Sequence, residues 1–351
     1  MQGECLFKKG VSFFLYRKVP WVFMVVACGV LFSAMPLPQN AVAADGDLKK
    51  VRLSIVAFLG DATMFYAYRK GLFAEEGLDI ELVRYKAGAR SLRAVVEGEI
   101  DIGAVAPTPI VYTAMGRTGF KPDFRVFASI LNSTHLNNLV VLDRNKIRNV
   151  QDLSGKRLAL QKGTASEFFW HRMALANHLD TGKVTIVDIP TPDIPEKAKE
   201  DLFDAAVAWT PYHLSLIKNT STPVEVYSGE NFYTTSWLAI AKPAFIKENP
   251  DIIDGFLRAL KRAQDQLFEN PISVAAVQSE LGNASPAELV ENYKTVTFSL
   301  GLTESLLVNL AQQGSWALQK GYVTEPVPDF HDYLDLAPLM RVAPESVLLL
   351  Q

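Results

Sequence analysis

The sequence writes one short apolar strand twice. AVAPTP occupies residues 104–109 and AVAWTP residues 206–211, and five of the six positions match. Each copy closely follows an aspartate, Asp101 or Asp204. The same alternation surrounds both. In the first series, VRLSIVAF (51–58), LDIELVRY (78–85), DIGAVA (101–106) and FRVFASIL (124–131) read as strands. Helical stretches at 63–76, 89–99 and 108–116 separate them, and Gly77 closes the first in the expected position after the last turn. The second series restarts with strands KRLALQ (156–161), KVTIVDIP (183–190) and DAAVAW (204–209), and helices over 164–179 and 197–202. Strands alternating with helices of this length predict parallel, doubly wound α/β sheets. The restart predicts two lobes of similar topology, not a solenoid, whose periods are shorter.

The stretch 224–241 holds two strand-like runs that return the chain to the first lobe. The expected division is therefore 48–138 plus 233–345 for one lobe and 139–232 for the other. After 241 the pattern is mostly helical. Asn249 reads as an N-cap and Pro250 as the first residue of a helix to about Glu269. Ile252, Phe256, Leu260 and Leu267 sit at helical spacing on it and should cover the first lobe.

With 351 residues the chain is long enough for two such lobes, and a formal charge of −3 argues against a nucleic-acid binder. The first 44 residues have a different character. Lys8, Lys9, Arg17 and Lys18 precede an apolar run over 19–35 and a small-residue stretch ending near Ala43. This is the pattern of a cleaved secretory signal. A membrane anchor is a second reading, and a lipid-attachment box at Val25-Val26-Ala27-Cys28 a third. All three place the bulk of the protein outside the cytoplasm. Both cysteines, Cys5 and Cys28, lie in this leader, so the remaining chain has no disulfide and no thiol.

In doubly wound sheets, ligands bind at the carboxyl ends of the strands. Four such ends stand out: Gly60-Asp61-Ala62, Pro107-Thr108-Pro109, Thr164-Ala165-Ser166 and Trp209-Thr210-Pro211. Thr108 and Thr210 read as N-caps with Pro109 and Pro211 in the first turn. Such helix starts attract anions, although Thr-Pro also simply begins a helix well. Thr164 to Glu167 is a capping-box pattern in which Glu167 would fold back onto the Thr164 N–H. Trp209 reads as a ring that stacks on a flat or apolar ligand, or as core. Trp237 and Tyr233 are weaker candidates of the same kind. Asp61 would accept from a ligand amine or cap the first helix, and the cap is preferred. His135 precedes the second lobe and is a candidate for the cleft. The five histidines form no metal-spaced pair, and no nucleophile-elbow, zinc-helix or phosphate-loop motif occurs. No metal, cofactor or catalytic group is expected.

The stretches KGLFAEEGLDIELVRY, VEGEIDIGAVAPTP, DLSGKRLALQKGTAS and DAAVAWTPY resemble periplasmic solute-binding proteins of the sulfonate, nitrate, taurine and thiamine-precursor type, which serve ABC importers. The resemblance covers about Val51 to Pro271. It implies a type II binding-protein fold, with two α/β lobes, a hinge and a C-terminal helical region. It also implies ligand contacts from residues 60–62, 107–108, 164–166 and the Trp209 region. Many members carry an acid between the Trp and Pro of the fourth motif. Here it is Thr210, which weakens a carry-over of amine or pyrimidine recognition. Members that make thiamine pyrimidine carry a cysteine-rich motif, which the chain after the leader lacks. The expectation is thus a monomeric, non-catalytic periplasmic protein that closes on a small anionic or heteroaromatic ligand and docks on a permease and its ATPase. Presentation of ligand to a membrane sensor, or a periplasmic enzyme, are the alternatives.

Overall fold

The computed structural model describes residues 48–349 except Asn283. The expected leader and the Cys28 box lie outside the described residues. Twelve strands are described: β1 (Lys49–Ile55), β2 (Leu78–Arg84), β3 (Ile102–Val105), β4 (Arg125–Ser133), β5 (Asn137–Val141), β6 (Arg157–Leu160), β7 (Thr185–Asp188), β8 (Ala205–Trp209), β9 (Glu225–Tyr227), β10 (Thr235–Ala241), β11 (Thr297–Thr303) and β12 (Val347–Leu348). They form a seven-stranded sheet, in the order β12-β11-β4-β10-β3-β1-β2, and a five-stranded sheet, in the order β7-β6-β8-β5-β9. The chain passes from the first sheet to the second between β4 and β5 and returns between β9 and β10.

The twin motif sits at the same place in both. β2-β1-β3 and β7-β6-β8 are matching parallel trios, and the repeated strand is the third member of each. The aspartates before the motif do matching work. Asp101 Oδ2 accepts from the Arg52 backbone N–H at 2.8 Å, and its Oδ1 accepts from Arg52 Nη2 at 2.6 Å. Asp204 makes the same pair of contacts with Arg157, at 2.8 and 3.0 Å. Each fork ties the central strand of its trio, β1 or β6, to the start of the third, β3 or β8. A bidentate geometry of this kind fixes orientation as well as attracting charge.

The sheets are mixed, where the alternation predicts parallel ones. β10 runs antiparallel between β3 and β4, and β5 antiparallel between β8 and β9. Both are crossing strands. Each arrives from the other sheet and so comes in from the opposite end. The expected first helix is also interrupted. Ala62–Arg69 and Leu72–Glu75 are separate helices because Gly71 takes a left-handed conformation at φ 73°.

After β10 the chain is largely helical, with Pro250–Glu269 the longest element. It buries Ile252, Phe256 and Leu260, and Phe256 stacks on Phe73 with centroids 5.6 Å apart. Asn249 is its N-cap by position, but its side chain makes no capping bond. Among the described residues no helix is long and apolar enough to cross a membrane.

Candidate functional site

The turn after β1 builds one wall. Asp61 is fully buried and organises it. Its Oδ2 accepts the Val56 N–H at 2.8 Å and the Phe58 N–H at 3.3 Å, and its Oδ1 accepts the indole N–H of Trp237 at 3.0 Å. Burial pushes the Asp61 carboxyl up to about 6, against the downward pull of these donors. Trp237, on β10, meets Phe58 edge-on at 4.8 Å. Two glycines make room for its ring: a Cβ on Gly60 or Gly88 would lie 2.9 Å from it. Behind the turn, Gln278 donates to the Phe58 carbonyl at 3.0 Å.

The opposite wall comes from the second sheet. Trp209 ends β8 and pairs with Asn137 across the β5–β8 ladder. Asn137 Nδ2 donates to Thr235 Oγ1 on β10 at 2.9 Å, so it links the sheets. A backbone bond does the same, from Leu59 N–H to the Thr210 carbonyl at 3.2 Å. These contacts hold the strand ends together and leave a cavity of about 40 Å³. Val56, Phe58, Gly88, Ala106, Ala165 and the two Trp rings line it with Asn137 and Thr235, and no lining side chain is charged. Trp209 is 7% exposed, and its indole Nε1 has no hydrogen-bond partner.

Of the residues singled out in the sequence, Ala165, Trp209 and Trp237 line this cavity. Gly60 and Asp61 stand directly behind it, supporting Trp237. Asp61 occupies the N-cap position of Ala62–Arg69 without a capping bond, because its carboxylate turns back to the β1 turn. Ala62 is buried as the first residue of that helix.

The Thr-Pro readings need correction. The helix Pro107–Ala114 is capped by Ala106, not Thr108, and Pro107 is its first residue. Thr108 points away, donating to Gln313 Oε1 at 2.6 Å. Prolines at 107 and 109 also remove two of the N–H groups that would attract an anion. The helix after the second motif is Tyr212–Asn219, with Pro211 at its cap position. Thr210 Oγ1 lies 3.2 Å from Nδ1 of His213, a ring whose burial lowers it to about 4.

Thr164 does cap Ala165–Ala176, accepting from the Ser166 N–H at 3.3 Å. Glu167 reaches back one residue further than the capping box requires. Its Oε2 accepts from the Gly163 N–H and from the Tyr112 hydroxyl, both at 3.0 Å. Ser166 Oγ approaches Asn137 Oδ1 at 3.4 Å. His135 is not among the cavity-lining residues. Its Nδ1 lies 2.9 Å from Thr134 Oγ1, and its Nε2 3.9 Å from Glu230.

Sequence reasoning missed Asn137, Phe58 and Gln278. For Asn137 the signal was its register opposite Trp209, which only the pairing of β5 reveals. A larger cavity, about 710 Å³, is a separate groove. It runs between the helices Ala165–Ala176 and Glu304–Gln319, beside residues 231–234. Size favours it, but the strand ends, the repeated motif and the unpaired indole converge on the smaller one.

Comparison with known proteins places this geometry. A putative aliphatic sulfonates-binding protein of Bacillus subtilis is 23% identical over 275 residues, covering 77% of this chain and 80% of that one. The crystal structure of the periplasmic aliphatic sulphonate binding protein of Escherichia coli superposes with a TM-score of 0.68. It is 19% identical and covers 82% of this chain and 97% of its own. The crystal structure of a desulfurization enzyme also shares the fold, with a TM-score of 0.61 at 13% identity, over 85% of this chain and 99% of that one. The two sheets and the helical C-terminal region therefore make up a periplasmic-binding-protein fold. The NMT1/THI5-like family matches residues 61–273, which include Asp61, Trp209 and Trp237, and this chain belongs to it.

Proposed function

We propose that the protein is the solute-binding component of an ABC importer, working outside the cytoplasm, and that it closes two lobes on a small ligand held between Trp209 and Trp237. The lobes are built on the two sheets, with the hinge at the crossings between β4 and β5 and between β9 and β10. Its partners are a membrane permease and that permease's ATPase. The observation that carries this reading is the unpartnered indole N–H of Trp209 in the cavity wall. Buried donors nearly always have an acceptor, and here a ligand would supply it.

The uncharged lining favours a flat heteroaromatic solute with an acceptor atom over a small inorganic anion. Desolvating an anion with no cation beside it is costly. A cavity of about 40 Å³ is too small for such a ring, so binding requires the Leu59–Thr210 and Asn137–Thr235 bonds to part and the walls to close on the ligand at a wider spacing. The fold also carries an enzyme. Binding without turnover is favoured here because no carboxylate, histidine, serine or thiol lines the cavity. A thermal-shift screen with pyrimidines, alkanesulfonates, taurine and nitrate tests the reading. Stabilisation by a heteroaromatic compound supports it. Stabilisation by nitrate or taurine alone would contradict the ligand class.

A further inference from the structure

Two other buried indole N–H groups lack an acceptor. Trp170 lies on the helix Ala165–Ala176 and Trp316 on the helix Glu304–Gln319. Each is 4% exposed, and neither Nε1 has a hydrogen-bond partner. Both residues line one cavity of about 180 Å³, separate from the Trp209–Trp237 cavity. Buried donors are satisfied in the great majority of cases, so two orphans on one cavity call for a common explanation.

The charges around this cavity give its sign. Lys162 and Lys320 line its exposed edge, and neither ammonium is ion-paired among the described residues. Lys320 Nζ donates only to Thr181 Oγ1, at 3.2 Å. The one carboxylate in the lining, Glu167, already accepts from the Tyr112 hydroxyl and the Gly163 N–H. His171 stays uncharged near neutral pH, because burial, with Lys320 and Arg172 adding to it, lowers its ring to about 4. The donors to Glu167 are neutral and leave its charge in place, so two ammonium groups against one carboxylate give the lining a net charge of +1, with two unpartnered indole N–H donors beside it.

We propose that this cavity is a second binding site, for a small oxyanion such as a short dicarboxylate or sulfate, held by Trp170, Trp316, Lys162 and Lys320. Its position gives it a consequence. Trp170 belongs to a helix of the second sheet's half of the chain. Trp316 stacks on Tyr112 of the Pro107–Ala114 helix, which follows β3 of the first sheet. An oxyanion there bridges elements that belong to the two sheets, so it favours their closed arrangement. By linkage it also raises the stability of the fold.

The test is calorimetric titration of the protein with sulfate and, separately, with succinate. The Lys162→Gln/Lys320→Gln double variant is titrated alongside, since both side chains are exposed and the fold should survive. Saturable binding of at least one anion, weakened about tenfold or more in the double variant, is expected. Trp316→Phe should weaken it too, with an unchanged circular dichroism spectrum, while Trp209→Phe should leave it as it was. No saturable binding of either anion would overturn the proposal. So would binding that the double variant retains in full, or binding that only Trp209→Phe removes, which would put the anion in the other cavity.

Discussion

Trp237 donates its indole N–H to Asp61 Oδ1 at 3.0 Å, across 176 residues of sequence. The bond joins the return strand β10 to the turn after β1. It also explains why a carboxylate is kept in a fully buried position: that one side chain takes N–H donors from both the β1 turn and β10 and so fixes the wall on which Trp237 stands.

The first prediction concerns pH. Asp61 titrates at about 6 in the folded protein, above its ordinary value of 3.8. Between these values the folded state holds a proton that the unfolded state has released. The Asp61 contribution therefore favours folding below pH 3.8 and is lost as pH rises to about 6, by an amount on the order of 2–3 kcal/mol. Other groups titrate in the same range, so the observable is a difference. In urea unfolding, wild type minus Asp61→Asn should decline from pH 4 to pH 6 and then level off. A difference that stays flat over that window would show that Asp61 is not titrating in it.

The second concerns the notch behind Trp237. A Cβ on Gly88 would lie 2.9 Å from the Trp237 ring and 3.0 Å from the Val105 Cα, which belongs to backbone and cannot step aside. Gly88→Ala should destabilise the fold by about 1–3 kcal/mol, the usual effect of overpacking. Chemical denaturation checks this, and a stability equal to wild type would contradict the packing.

The third follows from the twin forks. The Arg157 guanidinium, chiefly through its hydrogen bond, holds the Asp204 carboxyl below the usual carboxylate range. Arg157→Ala should raise the Asp204 titration midpoint, as followed by carboxyl carbon NMR. An unchanged midpoint would mean that the fork does not persist in solution. Because Asp204 is depressed in the folded state, its contribution to stability is present at neutral pH and is lost as the solution is acidified.

Much of the fold was legible because the strand–helix alternation is strong and written twice. The match between the β2-β1-β3 and β7-β6-β8 trios follows from AVAPTP and AVAWTP. The antiparallel crossing strands were not legible, since direction depends on which sheet a strand comes from and not on its own residues. β11 also escaped. Its apolar Phe298, Leu300 and Leu302 alternate, but over only seven residues within a helical region.

At the site, Trp209 and Trp237 were legible as large rings next to turns. The Thr-Pro caps were misread because Pro107 is as good a first residue as Pro109, and Ala106 has the extended conformation that a cap position needs. The partnership of Asp61 with Trp237 depends on β10 lying between β3 and β4, a neighbour relation that no local pattern encodes.

The central claim is that the Trp209 indole N–H is a ligand donor. It is tested most directly by titrating wild type and Trp209→Phe, by calorimetry, with the heteroaromatic compound that gives the largest thermal shift. Phe keeps an aromatic face and removes the donor. Affinity should fall by about 1–2 kcal/mol, roughly a tenfold rise in Kd, with one site per chain in both proteins. Equal affinity for the two would contradict the claim.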